Sequence, residues 1–210
     1  MQFTADQIWA MSVAADRING GYVKDTVMNY DVEPPVVAKE ANKLMVKRWL
    51  REGHNPATEQ DAEEGRRVRK YFNTFTLKAL TGQINDFERT ALKVSQMDEF
   101  TSRNTYEFAI ISCLPSVARR DQQRTELKRE IYTSEQLIGN VGDVIVGDIT
   151  VISSRFNQNY CKYKITARMG ESFIDFWHGQ ELAGEIRIKG KIKNVRGDKT
   201  TQLNYVKKVG

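Results

Sequence analysis

The segment GEIRIKGKIKNVRGDKTTQLNYVKK, residues 184–208, places Arg187, Lys189, Lys191 and Lys193 on one parity and Ile186, Ile188 and Ile192 on the other. A period of two is that of a half-buried strand, so the isoleucines face a core and the cations face outward. A row of cations of this kind neutralises phosphates and releases their counterions. Arg196 and Lys199 extend the row into the turn that follows. A second alternating segment, NYCKYKITARMG, sets Ile165 and Ala167 inward and Lys162, Lys164 and Arg168 outward. In ESFIDFWHG, placing Ile174 and Phe176 inside turns Phe173, Asp175 and Trp177 outward. Tyr160 lies in the loop-like NQNY that precedes these strands. Rings beside cations are what single-strand binding requires, since a ring stacked on an unpaired base contributes about 1–3 kcal/mol.

Each lysine taken alone has a simpler explanation. Outward lysines guard a strand against edge-to-edge pairing. Trp177 could equally pack under the helical domain, and a single bulge would turn Phe173 into the core. Rings such as Phe156, Tyr160 and Tyr205 more often fill a barrel than serve as stacking platforms, and Tyr160 is the best stacking candidate of the three. The group argues for more than the single residues do, because the charge is concentrated. The chain of 210 residues carries a net charge of +5. Residues 141–210 hold 12 Lys and Arg against 7 Asp and Glu, whereas residues 1–140 hold 20 of each. One module is thus suited to meet a polyanion and the other is not.

Other chemistries lack their residues. Cys113 and Cys161 are far apart and have no partner Cys or His at metal-ligand spacing, so neither a disulfide framework nor a zinc site is expected. His54 and His178 are isolated, and no nucleophile elbow, phosphate-binding loop or HExxH motif occurs. The acids of DAEEG, residues 61–65, open a helix, where they complement its dipole. The basic stretches at 66–70 and 117–130 alternate with acids on helices and read as solvated faces. No catalytic residue, metal or cofactor is expected. No apolar run is long enough for a membrane span, and the first twenty residues do not read as a signal peptide.

The elements that position these groups have two textures. Residues 1–137 read as a helical domain. Thr4 and Gln7 have capping-box spacing, and Gly20-Gly21 stops the first helix. Pro34 and Pro35 suit the first turn of a second helix, which runs to Gly53. A third starts at Thr58 and continues through KAL, ending at Leu80. Residues 84–97 and 103–132 supply further helices, the latter broken or kinked at Pro115. From Ile138 the period becomes two, and five short strands with Gly-rich bends fit into residues 138–210.

The strand order, and the run YKITARMGESFIDFWHGQELAGEIRIKGKIKNVRGDKTTQLNYVK, resemble the OB-fold modules of phage and mobile-element proteins. The matching stretches are Tyr163 to Ala167, Phe173 to Trp177, Gly184 to Lys193 and Thr201 to Val206, which lie within about a third of the chain. The whole chain resembles early proteins of lytic bacteriophages of the kind that bind single-stranded DNA. The resemblance implies an α+β protein, a helical N-terminal domain followed by a five-stranded OB-like β-barrel. It implies single-stranded DNA binding with little sequence preference, in phage DNA replication, recombination or transcription, in the cytoplasm of the infected bacterial host. The electrically neutral helical domain would serve homo-oligomer formation or the recruitment of another protein. The alternative reading is a protein-interaction module that grips a phage or host polymerase or replication factor.

Overall fold

The computed structural model describes residues 2–133, 138–195 and 200–209. The chain divides into two compact units, 1–123 and 124–210. The division falls within a helix, earlier than the change of hydrophobic period at residue 138.

The first unit opens with strand β1 (Gln2–Thr4) and helix α1 (Ala5–Asn19). Thr4 and Gln7 form the expected capping box, and Gly20 closes the helix in the left-handed conformation. α1 is buried over most of its surface, with Ile8, Trp9, Ala14 and Ala15 fully buried, which makes it the central helix. Strands β2 (Val27–Asn29) and β3 (Val36–Lys39) form a two-stranded hairpin, and helix α2 (Asn42–Glu52) follows. The segment after Pro35 is therefore a strand and not the first turn of α2. The β-branched Val36 and Val37 favour extended backbone. The helix starts only at Asn42, whose side-chain oxygen accepts from Val23 N–H at 3.0 Å.

Helix α3 (Glu59–Asn73) is capped at Thr58 as expected, but it ends before Thr74 and a separate short α4 (Thr76–Leu80) continues. Gly65 lies where α3 crosses α1: a Cβ there would come within 3.0 Å of the Trp9 and Ala10 backbone. Helix α5 (Asp86–Ser95), strand β4 (Glu99–Thr101), helix α6 (Thr105–Ile111) and helix α7 (Leu114–Thr133) complete the helical part. Pro115 sits in the first turn of α7, where its missing N–H costs nothing, so the break precedes it. β4 pairs with β1, and Phe72, Phe100, Phe108 and Leu114 fill the core around α1.

The second unit holds strands β5 (Val144–Asn157), β6 (Lys162–Met169), β7 (Ser172–His178), β8 (Glu185–Val195) and β9 (Thr201–Lys208). They form a closed barrel in the order β5-β6-β7-β9-β8, with β8 returning to β5. Every pair is antiparallel except β7 with β9. This is the expected five-stranded OB-like barrel. Its core is Ile149, Ile165, Ala167, Ile174, Phe176, Ile188, Ile192 and Leu203. Among the described residues, no helix is long and apolar enough to cross a membrane.

Candidate nucleic-acid interface

Alternation holds on β6. Ile165 and Ala167 are fully buried, while Lys162, Lys164 and Arg168 project from the opposite side. On β7 it holds only in part, because the strand is buried on both faces from Ser172 to Phe176. Phe173 points away from the barrel core, as its parity requires, yet it is only 3% exposed. Its expected role as an open stacking platform is corrected by this burial: the Arg168 guanidinium lies 5.0 Å from its ring centroid. Arg168 is itself bound to Glu130 of α7 at 2.6 Å. Lys164 lies 3.7 Å from the buried carboxylate of Asp175, its diagonal neighbour on β7. Arg168 and Lys164 therefore have partners within the fold.

Beyond Phe176 the strand opens. The parallel β7–β9 ladder consists of two residue pairs, Ile174 with Thr201 and Asp175 with Gln202. Past them a groove of about 780 Å³ lies between the end of β7 and the middle of β9. Trp177 and His178 line it from β7, Asn204 and Tyr205 from β9, Tyr160 from the β5–β6 turn and Lys162 from the start of β6. The turn fixes Tyr160 locally: Asn157 Oδ1 accepts its backbone N–H at 3.3 Å, and Cys161 takes a positive φ of 47°. The Tyr160 ring then meets Trp177, with centroids 5.2 Å apart and planes at 56°.

Tyr205, read from the sequence as a barrel-filling ring, shares the parity of the buried Leu203. It is instead 82% exposed. Between the pairs Lys189–Lys207 and Lys191–Asn204 the β8–β9 register shifts, and Tyr205 sits in that bulge with φ 54°. The extra residue reverses the alternation and turns the ring out. Phe156, read in the same way, is 55% exposed and rests against Tyr163, with ring centroids 5.2 Å apart.

β8 presents its cations as the sequence implies. Ile188 and Ile192 are buried, and Arg187, Lys189, Lys191 and Lys193 are exposed. Arg187 lies 3.6 Å from Asp148 on β5 in an exposed pair that holds it only weakly. Lys189, Lys191 and Lys193 make no ion pair among the described residues. Lys191 is the cross-strand partner of Asn204, so it borders the groove directly, and Lys189 is paired with Lys207 one step further along. Arg196 and Lys199 lie outside the described residues.

The structure thus brings together Tyr160, Lys162 and Trp177, with Lys191 beside them. It sets Phe173, Lys164, Arg168 and Arg187 apart from the groove lining. It adds Tyr205, Asn204 and His178, which parity alone does not reveal. Among the described residues, no cluster of His, Cys, Asp and Glu is arranged to hold a metal ion. Compared with known protein families, curated proteins and solved structures, the chain finds no match.

Proposed function

We propose that the barrel binds single-stranded DNA with little sequence preference, in phage DNA replication, recombination or transcription. The observation that carries this reading is the groove in which Tyr160, Trp177 and Tyr205 stand together, bordered by Lys162 and Lys191. Rings accept the faces of any base, and ammonium groups accept any phosphate. Apart from Lys162 and the two tyrosine hydroxyls, Asn204 and His178 are the polar side chains in the lining that could read a base edge, so the groove has little means of discriminating sequence. The strand of cations on β8 continues the phosphate path beyond the groove.

The test is fluorescence anisotropy of labelled oligo-dT against a matching duplex across a salt series. Selective binding to the single strand is expected. Each phosphate contact contributes a slope of about −0.7 in log K against log salt for single strands. Removal of Lys162, Lys189, Lys191 or Lys193 should each flatten the slope by about that much, whereas removal of Arg168, held by Glu130, should change it little. Equal or absent binding to both DNAs would transfer the groove to protein recognition, with Trp177 as the anchor.

A further inference from the structure

The β2–β3 hairpin exposes Val27, Tyr30, Val32, Val36 and Val37 at 45% to 77%. A two-stranded hairpin alone is marginally stable in water, and exposed apolar groups gathered on one element mark a contact surface. The tip is also acidic: Asp31 and Glu33 flank Val32 next to Tyr30. The Asn29 side chain fixes this turn by accepting the Asp31 N–H at 2.8 Å.

A surface of complementary chemistry lies in the same unit. A pocket of about 280 Å³ has Phe3, Leu50 and Phe108 in its lining, with Lys47 and Arg51 one helical turn apart on α2. Lys47 makes no ion pair among the described residues, and Arg51 reaches Glu52 at 3.6 Å in an exposed contact. An apolar recess bordered by two cations suits an aromatic side chain followed by carboxylates. The hairpin tip offers that pattern in Tyr30, Asp31 and Glu33. Tyr30 is 77% exposed, so the pocket of its own chain does not hold it.

We propose that the occupant is a second copy of this chain: Tyr30 of one copy enters the Phe3–Leu50–Phe108 pocket of the other, and Asp31 and Glu33 meet Lys47 and Arg51. In a two-fold arrangement the tip-and-pocket contact is used twice, which gives a closed dimer. None of the contact residues belongs to the barrel, so the proposal stands or falls independently of DNA binding.

Light scattering after size exclusion of the full chain tests this. The wild type should run at twice the monomer mass. Tyr30→Ala, a change at an exposed position, should shift it to the monomer. Asp31→Lys with Glu33→Lys, and separately Lys47→Glu with Arg51→Glu, should each give monomers, and mixing these two charge-reversed proteins should restore the dimer. Thermal melts by circular dichroism confirm that each variant is folded; where a charge-reversed protein is not, Tyr30→Ala decides. A monomeric wild type, a dimer that survives Tyr30→Ala, or folded charge-reversed partners that fail to re-associate would overturn the proposal.

Discussion

Tyr160 comes from the β5–β6 turn and Trp177 from the end of β7, yet their rings lie 5.2 Å apart at 56° in one groove. A tilted pair of this kind is worth about 0.5–1.5 kcal/mol beyond its burial. It also leaves ring surface open to a base. Tyr160→Ala and Trp177→Ala should each weaken oligo-dT binding by about 5- to 150-fold, the equivalent of one lost stacking contact. The double variant should lose less than the product of the two, because each ring positions the other. Anisotropy titrations of the three variants measure this directly. Wild-type affinity in both single variants would remove the groove from the binding face.

Lys164 is expected to act differently from its neighbours on β6. Its ammonium lies 3.7 Å from the Asp175 carboxylate, and that side chain is only 4% exposed. Removing Lys164 takes one counter-charge away from the largely buried Asp175 carboxylate. Lys164→Met should therefore cost about 1–3 kcal/mol of stability, less than for a fully buried pair because Lys164 itself is partly exposed. The effect on DNA affinity should be small. Lys164→Met combined with Asp175→Asn should recover much of the loss. Urea denaturation of the single and double variants separates this from a phosphate-binding role, in which affinity would fall and stability would not.

The parts of the fold that could be read from sequence depend on neighbours in the chain. The caps at Thr4 and Thr58, the stop at Gly20 and the five barrel strands all follow from short-range spacing. The features that could not be read depend on residues far away. Val36 and Val37 become a strand because β2 pairs with them; their β-branched side chains favour that locally, but Pro34 and Pro35 ahead of them suit a helix start equally well. Phe173 keeps its outward parity but is covered by Arg168. Tyr205 reverses parity at a bulge whose position is set by the β8 register. The cations of β8 were legible as a row, while their closeness to the rings depended on the barrel closing.

Stability of the helical unit should depend on pH through Asp61. Arg17 holds its carboxylate with two hydrogen bonds of 2.9 and 2.8 Å, and the Thr58 backbone N–H adds a third at 2.8 Å. The Arg17 guanidinium, helped by Thr58, keeps the Asp61 carboxyl below its ordinary 3.8. A carboxyl depressed in the folded state contributes its full stabilisation above the unfolded value. That contribution fades as pH falls through the folded value. Asp61→Asn should cost about 1–3 kcal/mol near neutral pH, the worth of a helix cap and a charge-assisted contact. The gap between variant and wild type should close in strong acid. A gap that stays constant down through the carboxylate range would contradict the assignment.

The two thiols should behave as opposites. Burial pushes the Cys113 thiol up to about 11, so almost none is thiolate at neutral pH. Cys161 is exposed and directly follows Tyr160 in the groove-lining turn. A thiol-reactive chromophore should label one cysteine quickly and the other only after unfolding. Saturating oligo-dT should slow the fast reaction several-fold, since DNA stacked on Tyr160 shields its neighbour. Labelling that is insensitive to oligo-dT, under conditions where binding is measured, would place the DNA elsewhere.

Tyr205 combines exposure of 82% with a left-handed backbone at φ 54°. A large side chain in that region costs about 1–3 kcal/mol and persists when its surroundings hold it there. The ring recovers little through burial, so the strain is offset either by the β8–β9 register it permits or by a ligand that meets the ring. Tyr205→Ala retains the strained backbone without the ring, and Tyr205→Gly relieves it. The glycine variant should be more stable than the alanine variant by about 1 kcal/mol. Both should lose affinity for oligo-dT to the same extent, because both lack the stacking surface. Chemical denaturation and anisotropy on the same two proteins give both quantities. If Tyr205→Gly binds as tightly as the wild type, the bulge serves barrel closure alone and the aromatic surface reduces to Tyr160 and Trp177.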